Sequence, residues 1–235
     1  MSQYHLRLVA AYVRGRHLQL GEPDLPASLS TPALESLSEP ELIAIVEYGL
    51  VAGLRLHRFK QTMGLARVER VLGYLQGIQP TELLDIGSGR GAFLWPLLTT
   101  FPMLPVTAMD ADKARAEQLK AVQLGGVAQL DVDCLDVTLL PFAENQFDVV
   151  TALEVLEHIP AVERAIAEIV RVARRFVIIS APSRPDDNPE HIHLFSQPQL
   201  RTLFANCGVD NLKFEYVHNH QLLIANVGAS HATQR

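Results

Sequence analysis

Short apolar runs alternate with amphipathic segments from residue 81 to residue 182. The apolar runs show little alternation of polar and apolar positions, which is typical of strands buried on both faces of a parallel sheet. The segments between them have helical periodicity and are long enough to cross from one strand to the next. The pattern predicts strands in TELLDIG, VTAMD, VAQLDVD, FDVVTAL and RFVIISAP and helices in AFLWPLLTT, KARAEQLKAVQ and AVERAIAEIVRVA.

The two ends of the chain follow different patterns. LKFEYVHN and QLLIANVG lie too close together for a crossover helix, so they predict an antiparallel hairpin at the sheet edge. Residues 1–79 predict helices joined by the loop GEPDLPASLSTP, and Ser38 with Glu41 forms a capping box at one helix start. We therefore expect a helical extension over 1–60, a main domain over 61–229 and a frayed tail over 230–235.

Composition and charge narrow the class of protein. Hydrophobic residues make up 48% and charged residues 20% of the 235 positions, as in a globular domain, and the net charge of −6 gives no field that attracts nucleic acid. Isolated cysteines and the lack of a cleavable or membrane-spanning apolar segment favour a cytoplasmic protein without a membrane partner. One segment is locally basic and could face an anionic substrate or only solvent; it contains Arg55, His57, Arg58, Lys60, Arg67 and Arg70.

The stretch LLDIGSGRGAF joins a strand, a glycine-rich turn and a helix start. Gly87, Gly89 and Gly91 let the backbone turn tightly and approach a ligand, and free N–H groups at the helix start favour an anion. The turn alone also fits a dinucleotide-binding fingerprint. Asp85 directly before the glycines argues against that alternative, because a dinucleotide site usually has an apolar residue there. Asp110, which closes the second strand, can accept both hydroxyls of a ribose.

Four motifs in this order resemble those of class I S-adenosylmethionine-dependent methyltransferases. They are LLDIGSGRGAF, VTAMDAD, the block from Asp136 to LPF, and FDVVTALEVLEHI, and the terminal hairpin resembles the final two strands of that family. The resemblance covers about residues 60–227. It implies a Rossmann-like, doubly wound α/β fold with a mostly parallel seven-stranded sheet that ends in the antiparallel hairpin.

The same resemblance implies a cofactor, S-adenosylmethionine, with S-adenosylhomocysteine as the product. The residues that it assigns to the cofactor share one edge of the predicted sheet. Asp85, Ile86, Gly87, Ser88, Gly89 and Gly91 would hold the methionine part, Asp110 with Ala111 the ribose, Asp136 with Val137 the adenine, and Leu153 with Glu154 would close the pocket. Asp136 could instead be a turn or capping residue.

The segment ALEVLEHIP raises a second question, because Glu154, Glu157 and His158 would share one face if it were helical. His191 and His193 follow the fifth strand and could approach them. These histidines, His158, His191 and His193, are predicted to border the acceptor pocket, one of them as a base. An alternative is a divalent metal held by Glu154, Glu157, His158 and His191. That spacing resembles the one in small-RNA 3′-end and ubiquinone-type methyltransferases.

The sequence therefore predicts methyl transfer to an oxygen, or a nitrogen, of a small-molecule acceptor. A metal-dependent RNA 3′-end 2′-O-methyltransferase is one alternative, and a nicotinamide-dependent oxidoreductase is an alternative from another class. The N-terminal helices are expected to form a lid over the cofactor edge, and a homodimer interface is the rival hypothesis for them.

Overall fold

The structure, a computed structural model, describes residues 3–20, 26–30, 32–59, 64–185 and 187–228, with the backbone alone at 28, 29, 57 and 58. Several predictions fall partly or wholly outside the described residues. These are the loop over 21–32, Lys60 and the side chains of His57 and Arg58 in the basic segment, the domain boundary at 60–61 and the tail from 230.

Seven strands form one sheet in the order β3-β2-β1-β4-β5-β7-β6. Their bounds are β1 Leu83–Ile86, β2 Val106–Asp110, β3 Leu130–Cys134, β4 Phe147–Leu153, β5 Ala173–Pro182, β6 Leu212–Val217 and β7 His220–Asn226. β2 pairs parallel with β3, and β4 pairs parallel with β1 and β5, whereas β7 runs antiparallel to β5 and β6. The predicted α/β fold, with its mostly parallel sheet and terminal hairpin, is confirmed.

Eight α-helices accompany the sheet in the described part of the chain. They are α1 Gln3–Leu20, α2 Ala27–Ser30, α3 Glu39–Val51, α4 Ala66–Ile78, α5 Leu94–Thr100, α6 Lys113–Leu124, α7 Val162–Val172 and α8 Gln197–Ala205. Before α3, the predicted capping box is present, and Ser38 N–H donates to the Glu41 carboxylate at 2.8 Å. Helix α8 was not predicted, although Ser196 and Gln199 form a second capping box at its start.

The described chain divides into two compact units. The first contains Met1–Met63 and Ser88–Cys134. Within it α1 packs against α6 and α3, and the middle of α1, from Leu8 to Val13, is buried. The N-terminal helices therefore share a core with β2, α6 and β3. The lid and homodimer hypotheses stay predictions.

The second unit contains Gly64–Gly87 and Leu135–Arg235. Helix α7 packs on β4 and β5 and also contacts α8, while α4 lies against β6. Strands β1, β4 and β5 of this unit are mostly buried, as their unbroken apolar runs predict. In the described residues, no helix combines the length and apolarity needed to span a membrane.

Candidate active site

The glycine turn of the first unit is held by backbone hydrogen bonds at the end of β2. Ser88 N–H donates to the Met109 carbonyl at 3.0 Å, and Gly89 N–H donates to Oδ2 of Asp110 at 2.9 Å. The other carboxylate oxygen of Asp110 accepts from Asp112 N–H at 2.9 Å. Because Asp110 is only 5% exposed, these two bonds fix its orientation. Asp110 thus shapes the turn, in addition to the ribose role that the sequence predicts for it.

Gly91 is required by the packing of the turn as well as by its backbone angle. Its φ is +83°, and a Cβ at this position would lie 2.0 Å from the Trp95 ring. The indole N–H of Trp95 donates to the Arg90 carbonyl at 3.0 Å, so the ring is fixed against the turn. Phe59 stacks on Trp95 with a centroid distance of 4.9 Å. No motif marks Phe59 or Trp95, and sequence reasoning missed both.

The acidic end of β1 lies in the second unit. Asp85 is 2% exposed, and the Thr151 hydroxyl donates to its Oδ1 at 2.8 Å. Ile86 beside it is buried. Gly87 follows with φ +67°, and a Cβ there would lie 2.5 Å from the Val155 side chain. The strand therefore has to end in a glycine turn at this position.

Asp136 and Val137 follow β3 in the second unit. Asp136 is exposed, and its Oδ1 accepts from the Thr138 N–H at 2.8 Å and the Thr138 hydroxyl at 2.9 Å. The backbone bond, followed by the hydroxyl bond, lowers the pKa of Asp136. Val137 is buried. The carboxylate thus stabilises a local turn, and its predicted contact with adenine stays a prediction.

Glu154, directly after β4, is held from several elements. Its φ is +58°, which is uncommon for a residue other than glycine. The Ser180 hydroxyl donates to its Oε1 at 2.6 Å, and Arg67 Nε lies 3.8 Å from the same oxygen. Nε2 of His220 lies 3.1 Å from Oε2. Sequence reasoning placed Arg67 in the basic segment and missed Ser180 and His220.

Three of the four residues predicted as alternative metal ligands come together in the second unit. Potential ligand atoms of Glu157, His158 and His191 all lie within 4.8 Å of one another, and Glu157 is fully buried. Among the described residues, Glu154 does not join this group. The reason is local: the segment forms a single 3₁₀ turn, Leu156–His158, and Glu154 precedes it in the left-handed conformation, so no continuous helical face forms.

The loop after β5 is attached to this turn by its backbone. The Glu157 carbonyl accepts from the N–H groups of Ile192 and His193 at 2.9 and 3.2 Å. Nε2 of His193 lies 3.0 Å from the Ile159 carbonyl, and Nδ1 of His158 lies 2.9 Å from the Glu190 carbonyl. The loop residues thus form one cluster with the turn after β4. The base predicted among His158, His191 and His193 stays a prediction.

The cluster has donors suited to a divalent cation. When Nδ1–H of His158 donates to the Glu190 carbonyl, Nε2 of the neutral ring carries the lone pair. Ligand histidines usually make such a bond to a carbonyl or carboxylate through their second nitrogen. One carboxylate with two imidazoles suits Zn²⁺ or Mn²⁺. The chemistry of Glu157, His158 and His191 therefore fits a bound divalent cation, which is the alternative stated from the sequence.

The fold and the sequence motifs together point to one class of protein. A parallel sheet closed by an antiparallel hairpin carries a glycine turn after β1 and acidic residues at the ends of β1 and β2. Residues 84–179 match the family model described as "Methyltransferase domain". Residues 84–179 are thus similar to a methyltransferase domain, and the match favours the methyltransferase interpretation of the glycine turn over the nicotinamide one.

Two curated O-methyltransferases are each similar to less than half of the chain. Malonyl-[acyl-carrier protein] O-methyltransferase of Geobacter sulfurreducens is 31% identical over 107 residues, which is 45% of this chain and 40% of that protein. Ubiquinone biosynthesis O-methyltransferase of Rickettsia canadensis is 31% identical over 106 residues, which is 44% and 43% of the two chains. The chain thus spans well under half the length of these two relatives.

Solved structures show the same fold at low identity. A SAM dependent methyltransferase from Aquifex aeolicus superimposes with a TM-score of 0.58 at 19% identity. The superposition covers 70% of this chain and 91% of that one. It supports the fold assignment alone.

Proposed function

We propose that the protein transfers the methyl group of S-adenosylmethionine to an oxygen, or a nitrogen, of a small-molecule acceptor. The observation that carries the proposal is the match of residues 84–179 to a methyltransferase domain, with a glycine turn in which the Gly89 N–H donates to Asp110. Two curated relatives are named as O-methyltransferases, which supports oxygen as the acceptor atom. Their named acceptors differ, and neither is assigned to this chain.

Parts of the donor are assigned to the residues that match the family's motifs. In the first unit, we assign the methionine part to Ser88, Gly89 and Gly91 and the ribose to Asp110 with Ala111. In the second unit, we assign the methionine part to Asp85, Ile86 and Gly87, the adenine to Asp136 with Val137, and closure of the pocket to Leu153 with Glu154. Buried, hydrogen-bonded carboxylates such as Asp85 and Asp110 support this assignment, because their orientation is already set.

The main task of the protein in methyl transfer is to align the acceptor atom with the methyl group of the donor. The sulfonium donor is reactive by itself, so the acceptor atom attacks the methyl carbon in line with the departing sulfur. Holding two reactants in that geometry can lower the barrier by roughly 7 to 11 kcal/mol. What remains is removal of the acceptor's proton, which requires a base or a Lewis acid near the acceptor.

We also propose a divalent cation at Glu157, His158 and His191. The grouping of their ligand atoms within 4.8 Å supports it, as does the hydrogen bond that orients His158 on the Glu190 carbonyl. When bound, the cation would supply a positive charge and tie the loop after β5 to the turn after β4. The buried carboxylate of Glu157 would gain a counter-charge there.

The RNA 3′-end alternative has no specific observation in its favour. It needs a contiguous basic surface around Arg55 to Arg70, yet Arg67 lies beside Glu154 and Arg70 donates to Glu215 at 2.6 Å. Paired arginines are less available to a phosphate backbone. A gel shift with single-stranded RNA at low and high salt tests the alternative, and salt-sensitive retardation would revive it.

Calorimetry with S-adenosylhomocysteine and with NAD⁺ tests the proposed function. We expect saturable binding of S-adenosylhomocysteine and none of NAD⁺. The Asp110→Asn variant should bind S-adenosylhomocysteine at least tenfold more weakly, because one carboxylate both holds the turn and is assigned to the ribose. Asp187→Asn is the matched control, since Asp187 is exposed in the loop after β5. Folded protein that takes up no S-adenosylhomocysteine would refute the proposal.

A further inference from the structure

His220 begins β7 and lies where three strands of the second unit meet. In the sheet register it pairs with Pro182 at the end of β5 and with Val217 at the end of β6. Its ring reaches Glu154, which directly follows β4, with 3.1 Å between Nε2 and Oε2. The carboxyl ends of parallel strands are where α/β folds place ligands. None of the sequence motifs includes His220.

The ring of His220 has one nitrogen engaged and one available. Nε2 faces the Glu154 carboxylate, and within the described residues the ring has no other hydrogen-bond partner. The side chain is 25% exposed. With Nε2–H donating to Glu154, Nδ1 carries the lone pair. A base oriented by a carboxylate in this way is the arrangement of a catalytic dyad.

The Glu154 carboxylate that contacts His220 is a different kind of partner from those of His158 and His193. Rings of His158 and His193 are hydrogen-bonded to the neutral carbonyls of Glu190 and Ile159. A carbonyl orients an imidazole, whereas a carboxylate also stabilises the imidazolium that forms when the ring takes a proton. By this criterion His220 is better suited than those two rings to act as a base.

Glu154 is held in its place at an energetic cost. A residue other than glycine at φ +58° is uncommon and persists only where its surroundings determine it. Here the Ser180 carbonyl accepts its N–H at 3.0 Å, the Ser180 hydroxyl donates to its Oε1, and Arg67 lies beside that oxygen. Such strain is concentrated at functional sites. In this conformation, Oε2 of Glu154 faces His220.

A groove of about 410 Å³ lies between α4 and β6 in the second unit. It is lined by Ala66, Glu69 and Arg70 of α4 and by Glu215, Tyr216 and Val217 of β6. Arg67 follows Ala66 along the helix, and Val217 is the register partner of His220. The volume lies within the range of small-molecule sites, roughly 300 to 1,000 Å³. The groove thus borders the chain neighbour of Arg67 and the register partner of His220.

We propose that His220 is the catalytic base for a phenolic acceptor, with Glu154 as its positioning residue; this deepens the proposed function and rests on it. The hydroxyl proton passes to Nδ1 of His220 as the phenolic oxygen bonds to the methyl carbon. The bond from that carbon to sulfur breaks, and its electron pair stays on sulfur, giving the methyl ether and S-adenosylhomocysteine. Glu154 carries the negative charge that balances the imidazolium.

The strength of the base selects the acceptor class. A phenol titrates near pH 10, to take an approximate value, whereas water and simple alcohols are far weaker acids. A positioned imidazole can accept a phenolic proton during methyl transfer, but an alcohol is too weak an acid for it. A phenol or catechol is therefore the class of acceptor that this dyad fits.

The test compares His220→Asn with His218→Asn in the full chain. His218 is exposed in the turn of the same hairpin and has φ +52°, a conformation that asparagine tolerates, so it is the matched control. Methyl transfer from S-adenosylmethionine to phenol, catechol and 4-nitrophenol is measured together with the melting temperature and the affinity for S-adenosylhomocysteine. We expect kcat to fall about 100-fold or more in His220→Asn with unchanged affinity and to rise again with added imidazole. His218→Asn should match the wild type.

Each other result overturns a specific part of the inference. Activity of His220→Asn within threefold of the wild type would remove His220 as the base. A wild type that binds S-adenosylhomocysteine but methylates amines or carboxylates and no phenol would refute the acceptor class. A folded wild type that neither binds S-adenosylhomocysteine nor transfers a methyl group would refute the proposed function itself, which separates the two failures.

Discussion

Gly15 of α1 lies directly against the backbone carbonyl of Ala121 in α6. A Cβ at Gly15 would come within 1.7 Å of that carbonyl oxygen, and a Cβ at Gly125 would come within 1.8 Å of the Ala11 carbonyl oxygen. The two contacts run in opposite directions along the helices, so α1 and α6 cross antiparallel with their backbones touching. Only glycine permits this approach. The N-terminal helix is thereby part of the core of the first unit.

Replacement of Gly15 by alanine should destabilise the protein. The added methyl group has to displace backbone, and overpacking of this kind costs about 1 to 3 kcal/mol of unfolding free energy. Urea unfolding measures the loss. Gly73→Ala on α4 is the control, because no atom lies within 4 Å of a Cβ there and alanine favours a helix by about 0.5 to 1 kcal/mol. If Gly15→Ala unfolds at the wild-type urea concentration, α1 does not cross α6 as described.

Replacement of Gly91 by alanine should impair donor binding. Its Cβ would lie 2.0 Å from the Trp95 ring at a backbone φ of +83°, so the turn would have to move. We expect at least a tenfold loss of affinity for S-adenosylhomocysteine in calorimetry, equivalent to about 1.4 kcal/mol. Gly77→Ala, whose Cβ meets no atom within 4 Å, should bind as the wild type does. Equal affinities of the two variants would show that this turn does not contact the donor.

The strands and the glycine turn were predictable because their signals are local. Buried parallel strands appear as apolar runs, and a turn at positive φ requires glycine at Gly87 and Gly91. The partners of Glu154 were not predictable, since Arg67, Ser180 and His220 lie on three distant elements that only the folded chain brings together. The spacing of Glu154, Glu157 and His158 suggested one helical face, whereas Glu154 adopts the left-handed conformation before a single 3₁₀ turn.

Glu215 should make the unfolding free energy depend on pH in acid. Hydrogen bonds from Arg70, then Tyr74, lower the pKa of Glu215 from 4.5 to about 2. The folded protein keeps this carboxylate ionised where the unfolded chain protonates it, so its stabilising contribution is complete above about pH 5 and is lost as pH falls toward 2. Arg70 and Lys213 are 54% and 60% exposed, so solvent screening reduces the contribution.

We expect Glu215→Gln to lose about 1 kcal/mol of unfolding free energy at pH 7, with a difference from the wild type that narrows toward pH 2. Urea unfolding at several pH values measures it. Glu163→Gln is the control, because Glu163 is exposed in the first turn of α7. A difference that stays constant from pH 7 to pH 2 would show that Glu215 does not hold its charge through these bonds.

Zinc binding should depend on Glu157 and on the two histidines beside it. We expect one saturable Zn²⁺ site in calorimetry of chelator-treated wild type, because three donors lie within 4.8 Å of one another and His158 is oriented by the Glu190 carbonyl. Glu157→Gln and His191→Asn each remove one ligand and should weaken binding at least tenfold. Glu190→Gln alters an exposed carboxylate in the same loop and leaves its carbonyl in place, so it should bind as the wild type does. Equal Zn²⁺ affinity in Glu157→Gln and Glu190→Gln would refute the metal site. The cluster would then serve only to join the loop after β5 to the turn after β4.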